Sequence, residues 1–348
     1  MVGRNIKKYR MLSGLSLRQM AERLNISHQT VKKYEDESLM PNSQRLIQIA
    51  KLLNVNISDL LNTYVVPELK FENFRKQSKL SKTKEKGLYM LISDEIAKYI
   101  EVLNLANEKY SFDKTKWSFN VNNINDIEII AIKVRKLLGL SDECALDNLT
   151  LKLEDNNFLI LEIDFDENFD GFCECVDDLA FIILSSKGYE RNRFTLAHEL
   201  GHLILNFDDK LDEKEKEYYC NYFASCLLMP RAAMKNELDF CSSFVPRNVS
   251  INEIILIAKE YKVSLNAVIM RLNDLNIIDD YKKKKLFVLL SKNGLKTKQL
   301  KLVDEHPLRK EKIIFRLEAE KIISTDEAIK YLGETTDEFF RSDFSNWC

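Results

Sequence analysis

Arg193-Phe194-Thr195-Leu196-Ala197-His198-Glu199-Leu200-Gly201-His202 is the stretch on which the reading of this chain turns. Apolar residues flank it at helical spacing, and histidines four residues apart leave a helix on one face, one turn from each other. Two imidazoles so placed can share one tetrahedral ion. Glu199 is rotated aside. Its carboxylate lies near such an ion without being forced to ligate it, where it can take a proton from water and return it to a leaving amine. With four histidines in 348 residues, chance makes such a pair rare; the competing reading is a buried helix with two unrelated histidines.

A catalytic zinc needs a third protein ligand and an open fourth position. Residues 212–229 read as a helix on which Glu217, Cys220, Asn221, Ala224, Leu227 and Leu228 form one stripe. A carboxylate on an apolar stripe must be paired, protonated or metal-bound. Glu217 is therefore the candidate third ligand, Glu213 the alternative one turn earlier, and Glu215 projects elsewhere. One Zn2+ per chain follows. For the oxyanion, Arg191, Arg193, Tyr218, Tyr219 and Tyr222 stay open as candidates. The apolar run Ala180 to Leu184 reads as a strand ahead of the histidine helix; an extended substrate could pair along its edge, unless the strand is central and buried. Cys173 and Cys175, one residue apart and without a matching pair, read as incidental.

At the N-terminal end, apolar residues recur at helical spacing in short segments. Leu17 to Tyr34 fits a helix-turn-helix: Ala21 is small where two helices cross, Asn25 suits a left-handed turn, Ser27 an N-cap, and Val31 packs the second helix onto the first. The positions offered to DNA are Ser27, His28, Gln29, Thr30, Lys32 and Lys33, in the first turns of the second helix. Gln29 suits adenine; the lysines suit phosphate or guanine. A five-helix scaffold for protein contacts is the plainer alternative.

Net charge is −2, but it is unevenly distributed. Residues 1–86 carry 17 basic and 8 acidic side chains, residues 87–280 carry 20 and 35, and residues 281–348 carry 15 and 11. A basic head thus precedes an acidic body. No apolar run approaches the roughly 18 residues of a membrane span, and the first residues lack the apolar block of a signal peptide. An odd number of cysteines, seven, reads as reduced thiols and a cytoplasmic location, with no membrane partner.

Residues 3 to 61 resemble the Xre/Cro-like helix-turn-helix domain of phage repressors, with Leu17 where a polar phosphate contact is frequent and Glu37 where glycine is usual. The run R-x-x-F-T-x-A-H-E-x-G-H, with E-x-x-(C/A)-N-x-F-A-x-x-L-L-M-P at Glu217 to Pro230, resembles the ImmA/IrrE family of zinc metallo-endopeptidases. That wider resemblance runs over about residues 65–335 and includes Phe74-Arg75-Lys76. It implies that His198, His202 and Glu217 ligate zinc and that Glu199 is the general base. It also implies a protein substrate, typically a helix-turn-helix repressor whose cleavage relieves repression. Cys220 stands where alanine is usual; its thiol either approaches the metal or replaces alanine as a small buried group.

The expected fold is mainly α with a small β-sheet. It comprises a five-helix helix-turn-helix domain (1–63), a basic linker (64–86), an α+β zincin-like, gluzincin-type metallopeptidase domain (87–250) and a helical C-terminal region (251–348). In that last region, Ile251 to Ile278 repeats a helix-turn-helix pattern with little positive charge, which favours packing on the catalytic domain. Lys282 to Lys285 reads as a solvated face, and His306 as a surface histidine. The expected function is a DNA-binding regulator with zinc-dependent endopeptidase activity, with operator duplex DNA and a protein substrate as partners. A homodimer is left open. The alternative is a transcription factor or antitoxin-type autoregulator whose metal site is structural or vestigial.

Overall fold

Short capped helices follow from the N-terminal sequence, where polar residues that favour caps punctuate apolar periods. A computed structural model describes residues 1–61, 80–166, 169–186, 189–208, 210–238, 248–292, 294 and 305–333, with backbone alone at 189–191. The head comprises α1 (Val2–Leu12), α2 (Leu17–Arg23), α3 (His28–Glu35), α4 (Ser43–Leu53) and α5 (Ile57–Leu61). Ser16 and Gln19 form a capping box on α2, while Ser27 accepts from the Thr30 N–H to start α3. Asn25 takes the left-handed conformation between them, at φ 51°. Glu37 does so too, at φ 59°, and its carboxylate accepts from the Gly3 N–H, a local bond that glycine could not make. Ile6, Met20, Val31, Ile49 and Leu60 form the core, closed by a buried Arg10–Glu35 pair whose guanidinium also bonds the Leu15 carbonyl.

Contacts divide the chain differently from boundaries at 63, 86 and 250. One unit contains Met1–Lys109, Phe165–Phe169 and Leu308 onward; the other contains Tyr110–Asp164 and Asp170–Pro307. In the first, α6 (Lys82–Leu105) packs on α1. Gly87 sits so close to α1 that a Cβ there would lie 2.6 Å from the Leu12 nitrogen. Lys8 and Arg4 of α1 both reach Asp94 of α6, at 2.6 and 2.7 Å. Residues 62–79, which hold most of the expected linker and Phe74 to Lys76, lie outside the described residues. Its last lysines are not tether: Ser81 caps α6, and Lys82, Lys84 and Lys86 occupy its first turns. Exposed lysines on an amphipathic helix have the composition of a linker, so composition alone sets a boundary inside it. The same unit includes α15 (Arg309–Ala319) and α16 (Thr325–Leu332), both packed on α6.

The second unit has an α+β architecture. Its elements before the histidine helix are β1 (Phe119–Val121), α7 (Ile124–Leu137), α8 (Leu149–Glu154), β2 (Phe158–Ile163), β3 (Gly171–Val176) and β4 (Leu179–Ser185). Then come α9 (Tyr189–Ile204), β5 (Leu205–Phe207), α10 (Glu213–Leu228), α11 (Arg231–Glu237), α12 (Ile251–Glu260), α13 (Leu265–Asp274) and α14 (Asp280–Lys292). One sheet has the order β2-β4-β3, with β2 parallel and β3 antiparallel to β4; β1 and β5 form a separate parallel pair. The Ala180 to Leu184 run is therefore the central strand and has no free edge, as its continuous burial suits. Substrate pairing along it is excluded.

The fold is mainly helical with small sheets, as expected. α13 packs within the second unit: its Arg271 is fully buried, bidentate to Glu128 of α7 at 2.9 and 3.1 Å, and bonded to the Met229 carbonyl. The repeated helix-turn-helix pattern is thus committed to packing. No helix among the described residues is long and apolar enough to cross a membrane. The five described cysteines are free.

Candidate metal centre

Two packed helices build the site. α9 carries His198, Glu199 and His202, and α10 packs against it. The close approach needs Gly201, whose absent Cβ would lie 3.1 Å from Phe223 and 3.5 Å from Cys220 on α10. Arg193 fixes the start of α9. It is buried, ion-paired with Glu305, and donates to the carbonyls of Leu146 and, at 3.0 Å, Asp147. A guanidinium so engaged is structural, which removes Arg193 from the oxyanion candidates. Tyr222 is committed as well, donating to Glu128 at 3.2 Å. Tyr218 is exposed and stacks on Tyr222; Tyr219 packs on Phe207; the Arg191 side chain lies outside the described residues.

His198, His202 and Glu217 converge. The two histidine Nε2 atoms are 3.0 Å apart, and Glu217 oxygens lie 3.3 Å from His198 Nε2 and 3.2 Å from His202 Nε2. Ligands about 2.0–2.1 Å from a tetrahedral ion stand about 3.3 Å from one another. The donor set and its spacing therefore fit such an ion, and among the described residues this is the one cluster that does. The imidazoles are 15% exposed and the Glu217 side chain 43%, so the cluster faces solvent on the carboxylate side. Glu217 thus occupies the edge of the apolar stripe of α10, and not its middle. Asn221 is not on the stripe: it is exposed, and its amide donates back to the Glu217 carbonyl. Glu213 pairs with Lys216, and Glu215 closes the capping box of α10 with Asp212. Neither competes for the cluster.

The electrostatics match a site built for a cation. Hydrogen bonds from both imidazoles hold Glu217 well below the usual carboxylate range. Burial by itself would lower His202, but its contacts with Cys220 and Glu217 raise it far above its ordinary value. Three donors this close need a shared positive charge, either a proton or a metal ion. Cys220 Sγ is 3.5 Å from His202 Nδ1, the ring nitrogen turned away from the cluster. The thiol therefore bears on the orientation of the His202 ring and is not one of the converging donors. His198 Nδ1 is buried with no partner among the described residues.

Glu199 is 4% exposed and adjoins the cluster. Burial raises its pKa, against the attraction of His202 and His198. Cys173 of β3 lies beside this carboxylate: burial first, then the Glu199 charge, push the thiol well above its ordinary value. Its place beside Glu199 is missed by the sequence reading, because the alternation Gly171, Cys173, Cys175 on one strand face is visible only once the strand is assigned. In the head, Ser27, His28, Gln29, Lys32 and Lys33 are exposed and Thr30 is half-buried, all within the first turns of α3 or at its cap. His306, exposed, pairs with Glu162 at 2.8 Å.

Comparison with known families agrees with this division. Residues 6–60 match a family described as helix-turn-helix, and residues 174–273 match one described as the IrrE N-terminal-like domain. The chain carries a helix-turn-helix domain and an IrrE N-terminal-like domain. The IrrE-like match covers β3 to α13, running past residue 250 and starting far after residue 65. Radiation response metalloprotease IrrE of Deinococcus radiodurans is 33% identical over 105 residues, which are 27% of this chain and 30% of that protein. The chain therefore matches about a third of that relative's length. A crystal structure of ComR from Streptococcus suis is 12% identical across 98% of this chain and 94% of that one, with a TM-score of 0.17, at which no shared architecture follows. The family and the relative point to a metal-dependent peptidase in the IrrE-like domain.

Proposed function

We propose that this protein is a DNA-binding transcriptional regulator whose IrrE-like domain is a zinc-dependent endopeptidase. His198, His202 and Glu217 would hold one zinc ion per chain, and Glu199 would be the general base. The observation that carries this reading is the convergence of three nitrogen and oxygen donors at 3.0–3.3 Å beside a buried carboxylate that is not among them. Zinc in this position supplies Lewis acidity that polarises a peptide carbonyl and makes water easier to deprotonate. Glu199 takes the proton of the attacking water and delivers it to the leaving nitrogen. Burial raises its pKa, and a stronger base takes a proton from water more readily.

The substrate, by family resemblance, is another regulatory protein, a helix-turn-helix repressor. Ser27, His28, Gln29, Thr30, Lys32 and Lys33 on α3 would meet the operator duplex. Binding beside a target repressor would raise the local concentration of the peptidase around it. The test is mass spectrometry of candidate regulators incubated with the wild-type protein and Glu199→Gln, with the metal content of both measured. Cleavage products with wild type alone, at equal zinc content, are expected. A metal-free protein, or identical behaviour of the Gln variant, would leave a DNA-binding regulator without peptidase activity.

A further inference from the structure

Arg193 closes the buried stripe of α9. Residues three, four and seven apart on a helix share a face, and Leu196, Ala197 and Leu200, which continue that face, are buried with it. The Arg193 side chain has no exposed surface, and a charge at the end of an apolar stripe must be compensated on the spot. Glu305 supplies the compensation from 112 residues along the chain, with a side chain 5% exposed. Its Oε1 meets the guanidinium, and its Oε2 accepts from the Leu149 N–H at 3.0 Å in the first turn of α8. The Glu305 carbonyl accepts from the Thr150 hydroxyl at 3.2 Å. Lys262 pairs with Asp147 at 3.1 Å and stands 3.9 Å from Glu305 Oε1. The next residue adds a second hold. His306 Nδ1 lies 2.8 Å from one oxygen of Glu162, whose other oxygen accepts from Asn192 of α9 at 3.4 Å. All of these residues belong to the second unit.

We propose that Glu305 is a positioning residue for the metal centre: through Arg193 it latches the start of α9 onto α8, and so sets where His198 and His202 stand relative to Glu217. The bearing on the metal rests on the zinc reading above; the latch itself does not. Arg193 precedes His198 by less than two helical turns, so a displaced first turn reaches the ligands. A buried guanidinium that loses its counter-charge is strongly destabilising. Without the Glu305 charge, Arg193 would be drawn toward water, and its bonds to the Leu146 and Asp147 carbonyls would loosen. Glu217 stands on a different helix, so a shift of α9 alone changes its distance from both imidazoles, now 3.2–3.3 Å.

Three versions of the full-length protein separate charge from shape: wild type, Glu305→Gln, which keeps the size and an acceptor, and Glu305→Asp, which keeps the charge. Amide hydrogen exchange of the metal-free proteins, read by mass spectrometry, is expected to be about tenfold faster in α9 of the Gln variant, with α12 and α13 unchanged and the Asp variant close to wild type. Unchanged exchange in α9, acceleration spread evenly over the unit, or an Asp variant as fast as the Gln variant overturns the latch. If the Gln variant does not fold, His306→Ala, a change at an exposed side chain, takes its place: the same amides are expected to speed up about twofold, and no change overturns the latch. Cobalt(II) then probes the metal centre, because its visible absorption follows ligand geometry. Glu305→Gln is expected to bind it about tenfold more weakly in chelator competition, with an altered spectrum. Equal affinity and an identical spectrum overturn the positioning role. If wild type binds neither cobalt nor zinc, the metal reading fails and the positioning role with it, while hydrogen exchange still decides the latch.

Discussion

Gly171 shows how little room surrounds Glu199. Its alanine variant would place a methyl group against Thr195 and Glu199, at contacts tighter than packed cores tolerate. Gly171→Ala is expected to cost about 1–3 kcal/mol of stability and to reduce cleavage more than tenfold at unchanged metal content, read by thermal unfolding, product formation and elemental analysis. Cys220→Ala acts on the metal itself. His202 Nδ1 loses the partner that orients the ring, and zinc affinity measured by chelator competition should fall about tenfold. Protons compete for the same site. His202 is held above its ordinary value when no cation is bound, so it keeps a proton at neutral pH that an incoming ion must displace. Affinity therefore decreases as pH falls, and calorimetry at pH 7 in buffers of different ionisation enthalpy should report about one proton released per ion. His198, Glu199 and His202 were legible because a helix fixes which residues share a face. Cys173 was not, because its neighbour is set by strand pairing and by packing across sequence.

At the scale of elements, α6 is the least legible and among the most connected. Its lysine-rich start reads as tether, while the buried Leu88, Ile92, Ile96, Tyr99, Val102 and Leu103 anchor it. Glu95 on α6 meets Lys310 of α15 at 3.3 Å and Lys98 at 2.7 Å. Burial alone would raise its pKa, but these two ammonium groups hold it down at about 2. A depressed carboxylate stabilises the fold above its unfolded pKa of 4.5 and ceases to do so as pH falls through about 2. Glu95→Gln should therefore lose about 3 kcal/mol near neutral pH and show a flatter acid limb, measured by urea unfolding from pH 7 to 2. On α3, a Lys32→Ala/Lys33→Ala variant should lower the salt dependence of duplex binding by about one counterion per lysine. An unchanged slope would remove these lysines from the DNA interface. The helix-turn-helix was legible because its caps and left-handed Asn25 are local features.

For the whole molecule, the two units have separate responses. The proposed zinc site lies within the second, so at a hundredfold excess over Kd zinc should stabilise that unit by about 2.7 kcal/mol. Scanning calorimetry is expected to show one transition moving with zinc and another unmoved. The charge contrast between residues 1–86 and 87–280 anticipates this division but misplaces its boundary. Charge follows the surface each segment presents, whereas the units follow what is buried, and α6 buries its apolar face with the head.

The short segment Phe165–Phe169, which groups with the head while joining β2 to β3, bears on how such a protein can be inherited. The chain passes between units after Lys109, Asp164, Phe169 and Pro307. No single genetic crossover exchanges one unit whole. A crossover in residues 62–79 would import a new five-helix reader, but one never fitted to Gly87 and Asp94 on α6. The lineage is thus expected to diversify its DNA preference by substitutions on the exposed face of α3, in place of trading readers with other regulators.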